Sequence, residues 1–339
     1  MNDSFDFEAI TEHESRRLFR FKKADVVYLQ TCLRIPERVK TSERDDVSGL
    51  EALCILLRRL SYPNRWIELR RLFGRSHGSL CRVFYKILDH INANFGSLLR
   101  DWDQSWLQEP DFQTFSAAIT EKGGVIPRVF GFIDGTARGT CRPGLHQRSF
   151  FSGHKRKHCL KYQSIVVPNG MYKRVTHFQT NETFPDDLFL GMIANLTLGH
   201  RGTMNDARLF RVSKISAKLK AHMQGWENAY IMYGDGGYPQ DPVLRKPFSR
   251  AQILANPRRG DTNQRMSTVR ESVEWGFKEI VSSFAYVDFS KQMKIFEKPV
   301  NKIYRTAVIL TNCRNCLYRN QTSRYFNLSP PSLEEYLGH

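Results

Sequence analysis

The sequence predicts a mixed α/β fold behind an all-helical, helix-turn-helix-like front end, and three observations carry that prediction. Through residues 45–122 the apolar positions recur at helical spacing. From Val125 onward, short β-branched and aromatic runs alternate with helical patterns, the order of a sheet with helices on its faces. Two apolar runs in that second part also meet an aspartate in similar wording, "FGFIDGT" at Asp134 and "IMYGDGG" at Asp235.

The bulk numbers narrow the function classes. A chain of 339 residues with 41% hydrophobic content is long and apolar enough for a sizeable core plus one smaller domain, which excludes general disorder. Fifty-one Lys and Arg against 34 Asp and Glu leave a net charge of +17, which suits a polyanionic partner. Nucleic acid ranks ahead of an acidic membrane, because the cations are scattered through folded-looking sequence rather than stacked beside an apolar helix. No run reaches the eighteen or so apolar residues of a membrane span, and the start "MNDSFDFEAITEHESRR" lacks the apolar core of a signal peptide. The expectation is an intracellular protein with no membrane partner. Seven cysteines without framework spacing fit reduced thiols; the close pair Cys313 and Cys316 reads as core thiols on a helix, since zinc needs two further ligands.

In chain order, residues 1–44 form an N-terminal arm with a helix, and 45–122 a helix-turn-helix-like domain. "VSGLEALCILLRRL" is helical, "SYPN" breaks it, and Asn64 is placed to cap "RWIELRRLF". Gly74 and Ser76 joint this helix to a longer one whose Leu80, Val83, Phe84, Ile87, Leu88 and Ile91 mark one buried face. Arg70, Arg71, Arg75 and Arg82 belong to a stretch with few acids, so a phosphate-contacting surface and a bundle that packs on the next domain both stand. A polar connector, "DWDQSWLQEPDFQTFSAAITEKGG", places the boundary near residue 122. Residues 123–320 then read as a strand "VIPRVFGFIDGT" ending at Asp134, a strand "KYQSIVV" stopped by "PNG", and a helix "DARLFRVSKISAKLKAHM". The strand "AYIMYGD", a short strand around "AQILAN" and a long helix from about residue 267 to 284 complete the domain, and 321–339 form a C-terminal tail.

Asp235 between Gly234 and the pair Gly236 and Gly237 reads either as a turn or as a carboxylate delivered where the backbone stays clear. Ligands of open α/β sheets gather at strand ends, so Asp134 and Asp235 converge if their strands are neighbours. Divalent magnesium or manganese takes hard oxygen ligands, and a two-metal site calls for a third acid. Glu271, Glu274 and Glu279 on the long helix are the candidates. Relative to the apolar stripe of Met266, Val269, Val273, Phe277, Ile280, Val281 and Phe284, Glu274 falls about 80° away and Glu271 about 140°. Glu274 is thus at the stripe's border; an ion pair with Arg270 or Lys278 is its alternative reading.

Between the first two acids lies an acid-free run, "RGTCRPGLHQRSFFSGHKRKHCLK", with Arg138, Arg142, Arg148, Lys155, Arg156, Lys157 and Lys161 and the interleaved Phe150 and Phe151. Such a run binds phosphates. His154 and His158 lack a third zinc ligand, and "HKRKH" has the look of a nuclear import signal. Asp206 in "NDARLF" is either a further acid of the site or part of a helix cap with Asn205.

The blocks "FIDGT", "FFSGHKRKHCLKYQSIVVPNG", "NDARLF", "YGDGGYP" and "RESVEWGFKEI", in this order, resemble PIF/Harbinger transposases and the nucleases derived from them, within the DDE transposase superfamily. The resemblance covers about residues 45 to 320. It implies an RNase H-like catalytic domain whose Asp, Asp, Glu triad falls on Asp134, Asp235 and Glu274, with Asp206 as an acid near the site. It also implies two divalent metal ions, Mg²⁺ or Mn²⁺, held by those acids, hydrolysis of double-stranded DNA to a free 3′-hydroxyl, and strand transfer. A Myb-like DNA-binding partner protein, a nuclear location with some cytoplasmic protein, and a dimer among the open oligomeric states complete the implied picture. Two other readings stand beside it: a domesticated, catalytically idle DNA-binding protein that keeps the fold, and a nuclease of the wider RNase H class acting on RNA.

One stretch departs from the family pattern. Some twenty residues, 171–190, separate "PNG" from "MIANLTL" and are bracketed by Gly170-Met171 and Gly191-Met192. They read either as a translated, retained intron or as a genuine surface insertion, which leaves "YKRVTHF" and "MIANLTL" as rival partners for the preceding strand.

Overall fold

The computed structural model describes residues 5–168, 191–318, 326 and 328–338, and for 272–276 the backbone alone. Helices α1 (Glu12–Phe19) and α2 (Lys23–Cys32) open the chain, α1 under a capping box in which Thr11 and Glu14 bond each other's backbone N–H. A hairpin of β1 (Arg38–Lys40) and β2 (Asp46–Ser48) follows, so the front end is not purely helical as the sequence predicts. Ser48 caps α3 (Gly49–Ser61) by accepting the Glu51 N–H. Next come α4 (Trp66–Phe73) and α5 (His77–Phe95), joined through Gly74 in the left-handed conformation at φ 63. Arg65 rather than Asn64 holds the cap position of α4; the Asn64 amide donates instead to Glu68 Oε2 at 2.9 Å. All six apolar residues expected on one face of α5 are buried.

The supposed polar connector contains a helix, α6 (Glu109–Glu121), whose Phe112, Phe115 and Ile119 are buried. Phe112 stacks on Phe130 with ring centroids 4.1 Å apart, so α6 seals one side of the strand that follows. That strand, β3 (Val129–Gly139), continues five residues beyond Asp134 instead of ending there. The reason is its partner: β3 pairs antiparallel with β5 (Lys157–Val167) all the way from Phe132↔Val166 to Gly139↔Cys159. A short helix α7 (Gln147–Phe150) and strand β4 (Phe151–Ser152) lie in the connection, with Phe151 opposite His158 on β5.

Strand β6 (Met192–Arg201) pairs antiparallel with β5, Val167 facing Met192. The partner of β5 is therefore "MIANLTL"; "YKRVTHF", like the whole proposed intron at 171–190, lies outside the described residues. Asn312 fastens β6 by accepting the Ile193 N–H at 3.1 Å and donating to the Ile193 carbonyl at 3.0 Å. Because the two flanking strands already pair in register, deleting residues 171–190 is expected to move the thermal midpoint by no more than about 3 °C. A circular-dichroism melt of the shortened chain checks this.

The predicted long helix after β6 is broken into α8 (Asp206–Ser213) and α9 (Ile215–His222) at Lys214, which adopts φ 55. Strand β7 (Ile231–Tyr233) pairs parallel with β3, and β8 (Leu244–Arg245) parallel with β7. "AQILAN" is not a strand but helix α10 (Arg250–Ala255), started by a capping box between Ser249 and Gln252. Helix α11 (Arg258–Ser283) begins some nine residues earlier than its apolar stripe suggests. Helix α12 (Val300–Tyr318) packs on both β6 and α5, where Lys302 pairs with Asp89 at 2.6 Å and Arg305 Nε donates to Asn92 at 2.7 Å. Short α13 (Leu333–Leu337) closes the described chain. The result is the mixed α/β class that the sequence predicts, with a mixed sheet and a helical N-terminal region, consistent with an RNase H-like catalytic domain. All seven cysteines are free thiols, Cys313 fully buried on α12.

Candidate active site

Register brings the first two acids together. On parallel neighbours β3 and β7, Phe132 faces Tyr233, so Asp134 and Asp235 follow two residues further along adjacent chains. Asp235 leaves the sheet in a turn of its own making: its Oδ1 accepts the Gly237 N–H at 2.8 Å and its carbonyl accepts the Tyr238 N–H at 3.3 Å. Neither Gly236 nor Gly237 has positive φ, so the side chain of Asp235 rather than glycine freedom shapes this turn. Gly234 is needed for a different reason, since a Cβ there would press on the Tyr238 ring and Ile133.

A third carboxylate arrives from α8. Asn205 caps that helix by accepting the Arg208 N–H at 2.8 Å, which leaves Asp206 at the first helical position and directed at the sheet. It is seated against Gly135, where any Cβ would collide with Asp206 Oδ1. A Cβ on Gly237 would lie 3.1 Å from Asp235 Oδ1 and 3.6 Å from Asp206 Oδ2, so these two carboxylates border the same gap. Gly135→Ala is accordingly expected to expel Asp206 from its seat, lowering stability by about 1–3 kcal/mol. Chemical denaturation measures it.

Electrostatics registers the crowding. The Asp134 carboxyl is pushed up to about 6, first by burial and further by the negative charges of Asp235 and Asp206, against the Gly135 N–H and the Arg270 guanidinium. Two cations balance the acids: Arg270 Nη1 lies 4.0 Å from Asp134 Oδ1 and Lys161 Nζ 2.9 Å from Asp206 Oδ1. Buried Tyr238 forms a wall beside all three acids. Burial, and then the charges of Asp206, Asp134 and Asp235, hold its phenol well above the usual range. Sequence reasoning took Lys161 for a DNA contact and gave Arg270 only a pairing role with Glu274. Tyr238 in "GDGGYP" was missed, although an aromatic so close to Asp235 was its available signal.

Glu274 lies on α11, the helix that carries Arg270 to Asp134, and its side chain is outside the described residues. Glu271, the rejected candidate, is exposed, while Glu279 is buried. Among the described residues no three His, Cys, Asp or Glu side chains form a ready metal-holding group.

The proposed nucleic-acid contacts divide. Arg138 is mostly covered: its guanidinium donates to the Phe277 carbonyl at 3.0 Å, sits over the Tyr304 ring and faces Asp288 at 3.6 Å. It fastens α11 and α12 to the sheet. Arg75 and Arg82 are likewise committed, in two-pronged pairs with Glu51 (2.5 and 2.9 Å) and Asp45 (2.7 and 3.0 Å). By contrast Arg70, Arg71, Arg142, Arg148, Lys155, Arg156 and Lys157 are exposed.

Residues 190–312 match the family model described as DDE superfamily endonuclease. No curated protein and no solved structure was matched. The matched stretch begins immediately before β6 and contains Asp206, Asp235 and Glu274, with Asp134 upstream of it. By that match, and with the mixed sheet around it, the chain carries a DDE superfamily endonuclease domain of the Harbinger type at residues 190–312.

Proposed function

We propose that the protein is a divalent-metal-dependent DNA endonuclease or transposase of the Harbinger type, with Asp134, Asp235 and Glu274 as catalytic residues and Asp206 as an auxiliary ligand. The observation that carries the reading is the placement of Asp134 and Asp235 side by side on parallel β3 and β7, with Asp206 against Gly135 and Gly237. Divalent metal ions are general to this family, and the donor set fits them. Asp206 Oδ1 is buried and accepts no hydrogen bond of good geometry, although Lys161 approaches it as an ion pair. An open carboxylate lone pair among like charges is the donor that Mg²⁺ or Mn²⁺ takes. When bound, the ions supply an activated water and stabilise the departing 3′ oxygen. Around them the chain positions and neutralises: Arg270 and Lys161 screen the acids before metal and DNA arrive, and Tyr238 keeps water off one side of the carboxylates.

The idle DNA-binding alternative has its own support, since Arg270 and Lys161 already balance Asp134 and Asp206. The two readings part in one assay, nicking of supercoiled plasmid by the full chain in Mn²⁺ or Mg²⁺ against the same reaction in EDTA. Metal-dependent nicking supports the enzyme; tight duplex binding with no nicking supports the idle protein. Duplex DNA as substrate also makes the nucleus the proposed location. No described helix is long and apolar enough to cross a membrane.

A further inference from the structure

The acid-free segment ends in a feature that phosphate binding alone does not explain. Arg142, Gln147, Arg148, Phe151 and His158 line an open cleft of about 290 Å³. Phe151 is 42% exposed, and its ring meets His158 edge-on with centroids 5.3 Å apart. Beside it Phe296, 63% exposed, rests on Phe150 at 5.8 Å. None of Arg142, Arg148, Lys155, Arg156 and Lys157 pairs with a carboxylate among the described residues. An exposed aromatic ring in an open cleft, with two arginines on its lining that pair with no carboxylate among the described residues, is what a base and its flanking phosphates recognise.

We propose that this cleft holds one unpaired base of the DNA substrate, stacked on Phe151, with Arg142 and Arg148 on the adjacent phosphates. The inference rests on the DNA-processing reading above and deepens it. Bases of intact duplex are stacked on one another and offer no face to a cleft, so the occupant is an extruded or single-stranded nucleotide. Its distance from the acids follows from the sheet. His158 faces Phe151 and Ser164 faces Asp134 on the same strand, β5. Those six residues span roughly 20 Å, which corresponds to at most about six nucleotides along one strand, the number at the stacked spacing of a duplex.

The test is fluorescence anisotropy of the full chain in EDTA, so that binding is read without cleavage. The probes are a blunt duplex and the same duplex with an eight-nucleotide single-stranded flank. Wild type is expected to prefer the flanked DNA, and Phe151→Ala to lose that preference by about ten- to a hundredfold. Phe151→Trp is expected to restore it, which separates stacking from misfolding. With 2-aminopurine placed through the flank, quenching on binding should peak within about six nucleotides of the junction. Equal affinity of wild type for both probes, or equal losses on both in Phe151→Ala with no rescue by Trp, overturns the proposal. If the plasmid shows no nicking while the Phe151-dependent preference persists, the endonuclease reading falls and the cleft stands.

Discussion

Asp235→Asn is expected to reduce metal-dependent nicking by at least about a thousandfold, the rate equivalent of several kcal/mol of lost transition-state stabilisation. The substitution is informative because it is nearly silent in shape. An asparagine side-chain oxygen still accepts the Gly237 N–H that Asp235 Oδ1 accepts at 2.8 Å, so the turn after β7 is kept. What disappears is one negative charge beside Asp134 and Asp206. Plasmid nicking and a thermal melt, run on the same preparation, separate the two effects: the melt should be unchanged or slightly raised while cutting vanishes. Cutting by the variant at the wild-type rate removes Asp235 from the site.

The second large effect concerns stability. Asp134 ionises at about 6 in the folded protein against an ordinary value of 3.8, so the folded state holds its proton more tightly than the unfolded chain does. Folding is therefore undisturbed below pH 3.8, loses stability as pH rises toward 6, and is penalised by a constant amount above it. Two pH units correspond to about 3 kcal/mol, and the one-fifth exposure of the side chain brings the expected figure nearer to about 2 kcal/mol. In EDTA, Asp134→Asn should consequently be more stable than wild type by about 2 kcal/mol at pH 8 and no more stable at pH 3.5. Urea melts at the two pH values read this difference. Adding Mn²⁺ at pH 8 should stabilise wild type, by about 2.7 kcal/mol at a hundred times Kd, and leave the variant behind. A variant gain independent of pH would mean that the crowding of negative charge is not its origin.

Much of this architecture was legible because burial leaves a periodic trace. The six apolar residues on α5 are all buried, and the "KYQSIVV" strand lies inside β5. Local reading failed where a tertiary partner decided the outcome. The apolar stretch of β3 ends at Ile133, but β5 supplies hydrogen bonds to Gly139, so the strand outruns its hydrophobic signal. In α6 the buried Phe112, Phe115 and Ile119 are too few among polar neighbours to stand out, and in α10 the cap between Ser249 and Gln252 outweighs a short apolar run. The proximity of Asp134 and Asp235 depends on which strands are neighbours, which the matching "IDG" and "GDG" wording suggested and periodicity could not. Charge proved the least legible property. Arg75, Arg82 and Arg138 read as phosphate contacts in one dimension and in three also tie the chain together, because Glu51, Asp45 and the Phe277 carbonyl come from other parts of it.

Strand β7 has only three residues, whereas β3 has eleven and is flanked on both sides over the stretch that precedes Asp134. The two acids thus hang from supports of unequal strength. Asp235 is held through a few backbone bonds, Ile231 N–H to Arg128, Met232 N–H to Val243 and Gly234 N–H to Arg245, each between 2.8 and 2.9 Å. Breaking so short a ladder requires opening only this margin of the sheet, far less than global unfolding. The gap between the carboxylates thus has one jaw, β3, anchored along its length and another, β7, held by a short ladder, so whatever bridges the acids also ties β7 and β8 to the body of the sheet.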